Sequence, residues 1–409
     1  MGRERYDDCR NGQTFRSPPA EPGVYLLLIT IAIIGILVSV VNTFTYAADV
    51  RFLGRVQAEY SSFDIKGVST QSLIDDPTSY SSFGVLVSEN LSSKLKVIAL
   101  IDYGFNLSSS NIGAARKRWV GFSHDSWGQL KFGRTHSPFA DFAGGWTIDP
   151  FVYTALQAAG SGGAMIASAN GLGSAPFTAV NSLARFESAT TRGFSFVAML
   201  MPGDAERLEA NLGGALGGAV HNGGNTGSAN GEWDFQVAGK YDTNFQDHRF
   251  SVFGGYSRDN ISSVQKKIPL VNLKTEEVGR IGGTWAYKNF LLQGQYEYIS
   301  NALGAATCSE AAALGAIDDA VRQCNSAMNA GGDGAIWFSS GQYKRVNTRL
   351  IVQGGMTDAN STNIFASRKS VNLTIRVFHD LSKRSSLFGG YQYVDVADNN
   401  TFAKHDPKI

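Results

Sequence analysis

VNLTIRV, at residues 371–377, places Val371, Leu373, Ile375 and Val377 on one row and Asn372, Thr374 and Arg376 on the other. Successive side chains of a strand point to opposite faces, so this stretch makes one greasy face and one hydrated face. The same twofold rhythm recurs along nearly the whole chain after residue 50, with no helical period between the strands. A closed sheet in lipid has this pattern, apolar toward the membrane and polar toward a water-filled lumen.

Working outward, candidate strands come in pairs. The first spans residues 52–60, followed by 82–89 with 95–105, 118–123 with 128–134, and 181–187 with 194–201. Then come 233–241 with 249–256, 278–287 with 290–299, 335–343 with 348–356, and 371–379 with 386–395. Turns such as Lys288-Asn289 and Lys344-Arg345 are short, whereas the opposite connections are long. Outer-membrane barrels show that asymmetry, and a soluble sandwich does not need it. These fifteen stretches, with a possible sixteenth near the carboxyl end, make the expected fold all-β, a transmembrane antiparallel β-barrel of about 16 strands. Aromatics near strand ends (Tyr60, Trp285, Tyr287, Tyr296, Tyr298, Tyr391 and Tyr393) fit interfacial girdles, or else ordinary cross-strand pairing.

Composition agrees. Of 409 residues, 43% are apolar and 17% charged, too few of the first for a helical membrane protein and few of the second for a soluble one. The 46 glycines exceed the usual share of about 7%. A net charge of +1 argues against nucleic acid as a partner.

One long apolar run, GVYLLLITIAIIGILVSVV at residues 23–41, follows Arg3, Arg5, Arg10 and Arg16 and precedes the small residues Thr45 and Ala47. This reads as a signal peptide over residues 1–47, cleaved near Ala47 or Ala48, with the barrel occupying 48–409. A retained helix is the alternative, since the run is long enough to span a bilayer. Cys9 falls in the leader, which leaves Cys308 and Cys324. An oxidising periplasm favours a disulfide between them across an exposed loop, and two thiols without a nearby His make a poor metal site. No cofactor is expected.

Several segments resemble the general diffusion porins of Gram-negative bacteria. They are SFG at 82–84 through ENL at 89–91, LKVIALIDYGFN at 95–106, and RWVGF at 118–122 leading into WGQLKFGR at 127–134. RFES at 185–188 with GFSF at 193–196 continues the series, and HDLSKRSSL at 379–387 with GYQYVD at 390–395 is the most specific pair. The resemblance covers roughly residues 48–400 in order and spacing. It implies a homotrimer of sixteen-stranded barrels in the outer membrane, in contact with its lipids, passing small hydrophilic solutes and ions by diffusion. It also implies that the third loop, 135–180, folds into the lumen, so that wall arginines face loop carboxylates across a narrow waist. Arg134 and Arg185 match the family's wall arginines. Arg55 joins them by alternation alone, and Asp141 and Asp149 are the loop carboxylates; rim charges or N-caps are the bland readings.

Two departures stand out. Ser82 occupies a position where many family members carry arginine, which predicts a weaker anion preference. The chain ends TFAKHDPKI at 401–409, charged and carrying Pro407, where the family has a strand closed by phenylalanine. The final strand thus reads as truncated or atypical, with an exposed edge beside the first. A substrate-selective channel, an adhesin and a barrel enzyme are the alternative functions. The enzyme needs a His-activated nucleophile, and His124, His136, His221, His248, His379 and His405 are scattered over turns, loops and strand ends.

Overall fold

The structure, a computed structural model, describes residues 48–63, 71–75, 81–105, 107, 112–152, 154–157, 180–202, 233–260, 275–303, 331–360 and 368–398. Residues 1–47, expected as a leader, the stretch holding Cys308 and Cys324, and residues 399–409 lie outside the described residues.

Among the described residues seventeen strands run in chain order: β1 (Asp49–Arg55), β2 (Glu59–Phe63), β3 (Gln71–Asp75), β4 (Ser82–Asn90), β5 (Leu95–Phe105) and β6 (Ile112–His124). They continue with β7 (Gly128–Thr135), β8 (Val180–Ser188), β9 (Phe194–Pro202), β10 (Trp233–Phe245), β11 (His248–Asp259) and β12 (Glu276–Tyr287). The last are β13 (Phe290–Leu303), β14 (Gly331–Arg345), β15 (Thr348–Asn360), β16 (Arg368–Asp380) and β17 (Ser386–Asp398). Fifteen of them form one antiparallel sheet in which each strand pairs with its neighbours in sequence, apart from β2 and β3. Among the described residues, β1 and β17 are its two edges.

This is an all-β barrel wall turned inside out. On β16, Val371, Leu373, Ile375 and Val377 are 44–57% exposed, whereas Asn372, Thr374 and Arg376 are at most 2% exposed. A soluble protein has the reverse arrangement, because apolar surface leaves water at a gain of about 25 cal/mol per Å². The expected alternation therefore holds, with the greasy row outward.

Two details differ from expectation. The first strand does not run through residues 52–60. β1 ends at Arg55, the chain leaves the ladder, and β2 pairs with β3 in a separate hairpin from Glu59↔Asp75 to Phe63↔Gln71. Tyr60 therefore sits outside the main sheet. The turn expected at Lys344-Arg345 lies two residues later, since Lys344 and Arg345 still pair with Arg349 and Thr348. Val346 takes the left-handed turn position, φ 51°, which is uncommon for a β-branched residue.

The inner face is not uniformly polar. Val197, Ala238, Phe253, Val278, Ile299, Ile336 and Phe338 form a buried cluster on it with Phe139, Ala143 and Ile148, which come from the segment between β7 and β8. The core of the molecule thus lies between wall and loop. Gly255 marks how close they come, because a Cβ there would stand 2.5 Å from the Phe139 ring.

Candidate pore constriction

The segment after β7 is shaped by its own sequence. Ser137-Pro138 opens a one-turn helix, α1 (Pro138–Asp141), where proline's fixed φ suits the first helical position. Gly144 and Gly145, at φ 78° and 56°, then reverse the chain into a 3-10 turn, Gly145–Thr147. Asp149 accepts a hydrogen bond from the Phe151 N–H at 2.9 Å, a local turn built by a carboxylate two residues back.

Wall side chains from much of the sheet grip this segment. Gln236 of β10 accepts from the Phe139 N–H at 2.6 Å, and Gln295 of β13 from the Gly145 N–H at 3.0 Å. Arg280 of β12 donates to the carbonyls of Phe139 and Ala143 while paired with the buried Glu297. Further round, Arg376 donates to the Thr154 hydroxyl at 2.7 Å, and Gln353 and Gln392 both donate to the Leu156 carbonyl at 3.3 Å. Glu59 of β2 accepts from the Ala155 N–H at 3.0 Å. Partners from β8 to β17 can meet one segment only if the polar face is concave around it.

The charges concentrate at the start of the segment. Arg185 bridges to Asp141 at 2.7 Å and to Glu187 at 2.5 Å, and donates to the His136 carbonyl at 2.6 Å. Lys131 joins Glu187 at 3.0 Å. His136 Nδ1 lies 3.3 Å from Asp141, and its ring meets the edge of Trp146 at 4.6 Å. Burial pushes the His136 imidazole down to about 4 against the opposing pull of Asp141. Burial alone raises the Asp141 carboxyl, but Arg185 and His136 outweigh it and hold it well below the usual carboxylate range.

The sequence-derived residues thus divide. Arg185 and Asp141 are brought into direct contact. Asp149 is buried within the segment and lies within electrostatic reach of Arg376. Arg55 pairs with Ser82 across the ladder and lies within electrostatic reach of Lys117. Arg134 stands opposite Arg118, at a register shift between Gly133 and Thr135 where the alternation of β7 is broken. Cys308 and Cys324 are not among the described residues.

A profile of Gram-negative porins matches residues 35–399. The chain belongs to the Gram-negative porin family. No curated protein matches it. Among solved structures it is similar to a loop-deletion mutant of OmpT, an outer membrane protein of Vibrio cholerae: TM-score 0.55, 14% identity, covering 86% of this chain and 95% of that one. It is also similar to an anion-selective porin from Comamonas acidovorans, with TM-score 0.55 and 14% identity over 85% of this chain and 89% of that one. At these identities the likeness concerns the fold, an antiparallel transmembrane β-barrel. The porin family and this inside-out wall together make the protein an outer-membrane channel for passive diffusion of small hydrophilic solutes.

Sequence reasoning missed several residues that the porin gathers at this segment. Arg116 and Lys117 are the first. The β5–β6 register slips between Asp102↔Lys117 and Tyr103↔Ala115, so Arg116 is the extra residue of a bulge. Arg116 is buried, and Lys117 lies within electrostatic reach of Asp141, Asp102, Arg116 and Arg55. Arg280 and Arg376 are the others. Each is an arginine on the polar row of a strand whose opposite row is apolar, and that was the available signal. Arg376 lies over the rings of Phe378 and Phe388, 4.1 and 3.7 Å from their centres.

Proposed function

We propose that the segment after β7 narrows the lumen of this porin and sorts ions across a transverse field. Asp141 and the buried Asp149 belong to the segment, and Arg55, Arg116, Lys117 and Arg185 to the wall that it meets. The observation that carries the reading is the bridge joining Arg185, buried in the wall, to Asp141 of the loop, which stays 31% exposed. A charge pair with little water around it is weakly screened, so it acts on a passing ion more strongly than a rim charge does. Around Lys117 the neighbours within reach are two acids and two bases, and Lys117 itself makes the third base. That majority supports a mild preference for anions. Arg134 takes the smallest part, paired as it is with the exposed Arg118.

The remaining parts of the reading rest on the sequence and on the family. Residues 1–47 act as a leader removed on export, the mature chain assembles as a homotrimer surrounded by outer-membrane lipid, Cys308 and Cys324 close a loop, and transport proceeds without covalent chemistry. One structural relative, OmpT of Vibrio cholerae, is described in a trimer form, at TM-score 0.52 and 14% identity over 89% of this chain and 94% of that one.

Planar-bilayer recording of the purified protein in a gradient of potassium chloride is the test. A reversal potential of the sign set by chloride, with conductance linear in salt, is the expected result. Saturable block by a sugar or an organic anion would point instead to a substrate-selective channel.

A further inference from the structure

On the outward face, Gly239 of β10 pairs directly with Gly254 of β11. Their rows carry Val237, Tyr241 and Val252, all exposed on the membrane side. With no side chain at either glycine, bare backbone forms the floor of a cavity of about 910 Å³. Phe186 and Phe196 wall it on one side and Ile281 on the other, with Tyr241 and Val252 toward the short turns and Trp127 among the lining residues. Backbone geometry does not explain Gly239: a Cβ added there meets no atom within 4 Å. What the missing side chain provides is room.

We infer that this depression seats one acyl chain of a phospholipid whose headgroup lies at the short-turn rim. The occupant follows from position. The cavity is continuous with the apolar band that faces lipid, and its size lies in the range of small-molecule sites, about 300–1,000 Å³. Its lining reaches the turns, where Trp127 stacks on His124 and on Phe186 at 5.4 and 6.1 Å, and such rings favour the headgroup level. Ser126, Ser188 and Thr191 bring hydroxyls to that end. Arg192 follows Thr191 in the turn closed by the Thr191↔Phe194 bridge, and offers a cation to a phosphate. Asp125 adjoins Ser126 in the β6–β7 turn. Arg192 and Asp125, one charge of each sign in the two neighbouring turns, fit a zwitterionic headgroup, phosphate toward Arg192 and ammonium toward Asp125.

The inference rests on the membrane embedding of the outward face and is independent of the constriction. The test reconstitutes wild type, Gly239→Leu, Gly239→Ala and Arg192→Gln in vesicles of equal phosphatidylethanolamine and phosphatidylglycerol. Each is then extracted in mild detergent, and retained lipids are counted by native mass spectrometry. Wild type is expected to keep one phosphatidylethanolamine per protomer, Gly239→Leu to lose it, and Gly239→Ala and Arg192→Gln to keep it in a smaller fraction. Single-channel conductance should be the same in wild type and the two Gly239 variants, since position 239 faces away from the lumen. Equal retention by wild type and Gly239→Leu would overturn the inference, as would wild type retaining no lipid or preferring phosphatidylglycerol. If Gly239→Leu changed the oligomeric state and left lipid retention intact, the depression would be a protein contact and the inference would fail.

Discussion

Lys117 owes its place to one extra residue. In an unbroken ladder Arg116 and Lys117 would face opposite sides of the wall; the bulge next to Asp102 allows both to turn toward the loop. Replacing Lys117 by Glu changes the local charge by two units beside Asp141 and Asp102. The expected outcome is a reversal potential moved toward the cation side in a salt gradient, whereas Arg134→Gln should move it far less. Equal shifts in the two variants would place Arg134 in the passage after all. His136 ties the same segment to pH. Its Nδ1 faces Asp141, and its buried Nε2 has no hydrogen-bond partner, so a second proton would enter with no acceptor. The imidazole is held down at about 4, below its ordinary value of about 6.5. Docking of the segment is therefore fully stabilised above pH about 6.5 and weakens as pH falls from there toward 4, by roughly 3 kcal/mol in all. Asp141, held low, adds a loss below the ordinary carboxylate range. Single-channel current should grow noisy between pH 6.5 and 4 in wild type and not in His136→Gln, and a trace steady throughout in wild type would refute the coupling.

At the scale of elements, the loop is held by a polar grip around an apolar centre. Phe139, with its backbone N–H on Gln236 and its carbonyl on Arg280, is nearly fully buried against Phe253, Gly255 and their neighbours. Arg280 also satisfies Glu297, so Arg280→Met frees two loop carbonyls and leaves a buried carboxylate without its cation. Breaking one half of such a pair costs about 3–5 kcal/mol, and replacing both halves by apolar groups costs much less. Arg280→Met should therefore expose residues 136–157 to added protease, and Arg280→Met with Glu297→Leu should recover part of the protection. Protection unchanged in the single variant would mean that the apolar centre alone fixes the loop. Much of this element's docking was illegible in the sequence. Strand register could be read because a period of two repeats locally, as at Val371 and Asn372. The partners of Phe139 lie about a hundred residues away or more, at Gln236 and Arg280, and no local period encodes them. The bulge at Arg116 and the hairpin of β2 with β3 were missed for a related reason: each interrupts the alternation on which the reading relied.

For the whole molecule, the arrangement rests on which row of each strand meets lipid. Leu373 and Thr374 are adjacent in sequence and opposite in environment, one 57% exposed on the outer face and the other fully buried on the inner. Hydrophobicity alone would rank Leu373→Arg as a harmless surface change in a soluble protein. In a membrane wall the same change drags a guanidinium into hydrocarbon, at a cost of about 2–4 kcal/mol near the midplane and less toward either rim. The neighbouring wall supplies a comparison, because Ile375 and Val377 continue the row toward the short-turn end, where an arginine reaches the interface more easily. Folding into short-chain phosphatidylcholine vesicles, followed by urea titration, should give losses that fall in the order Leu373→Arg, Ile375→Arg, Val377→Arg. Such a gradient reports depth in a bilayer and has no counterpart in a water-soluble sheet. Three equal losses, or none, would show that this row does not lie in the hydrocarbon, and the channel reading built on the inside-out wall would go with it.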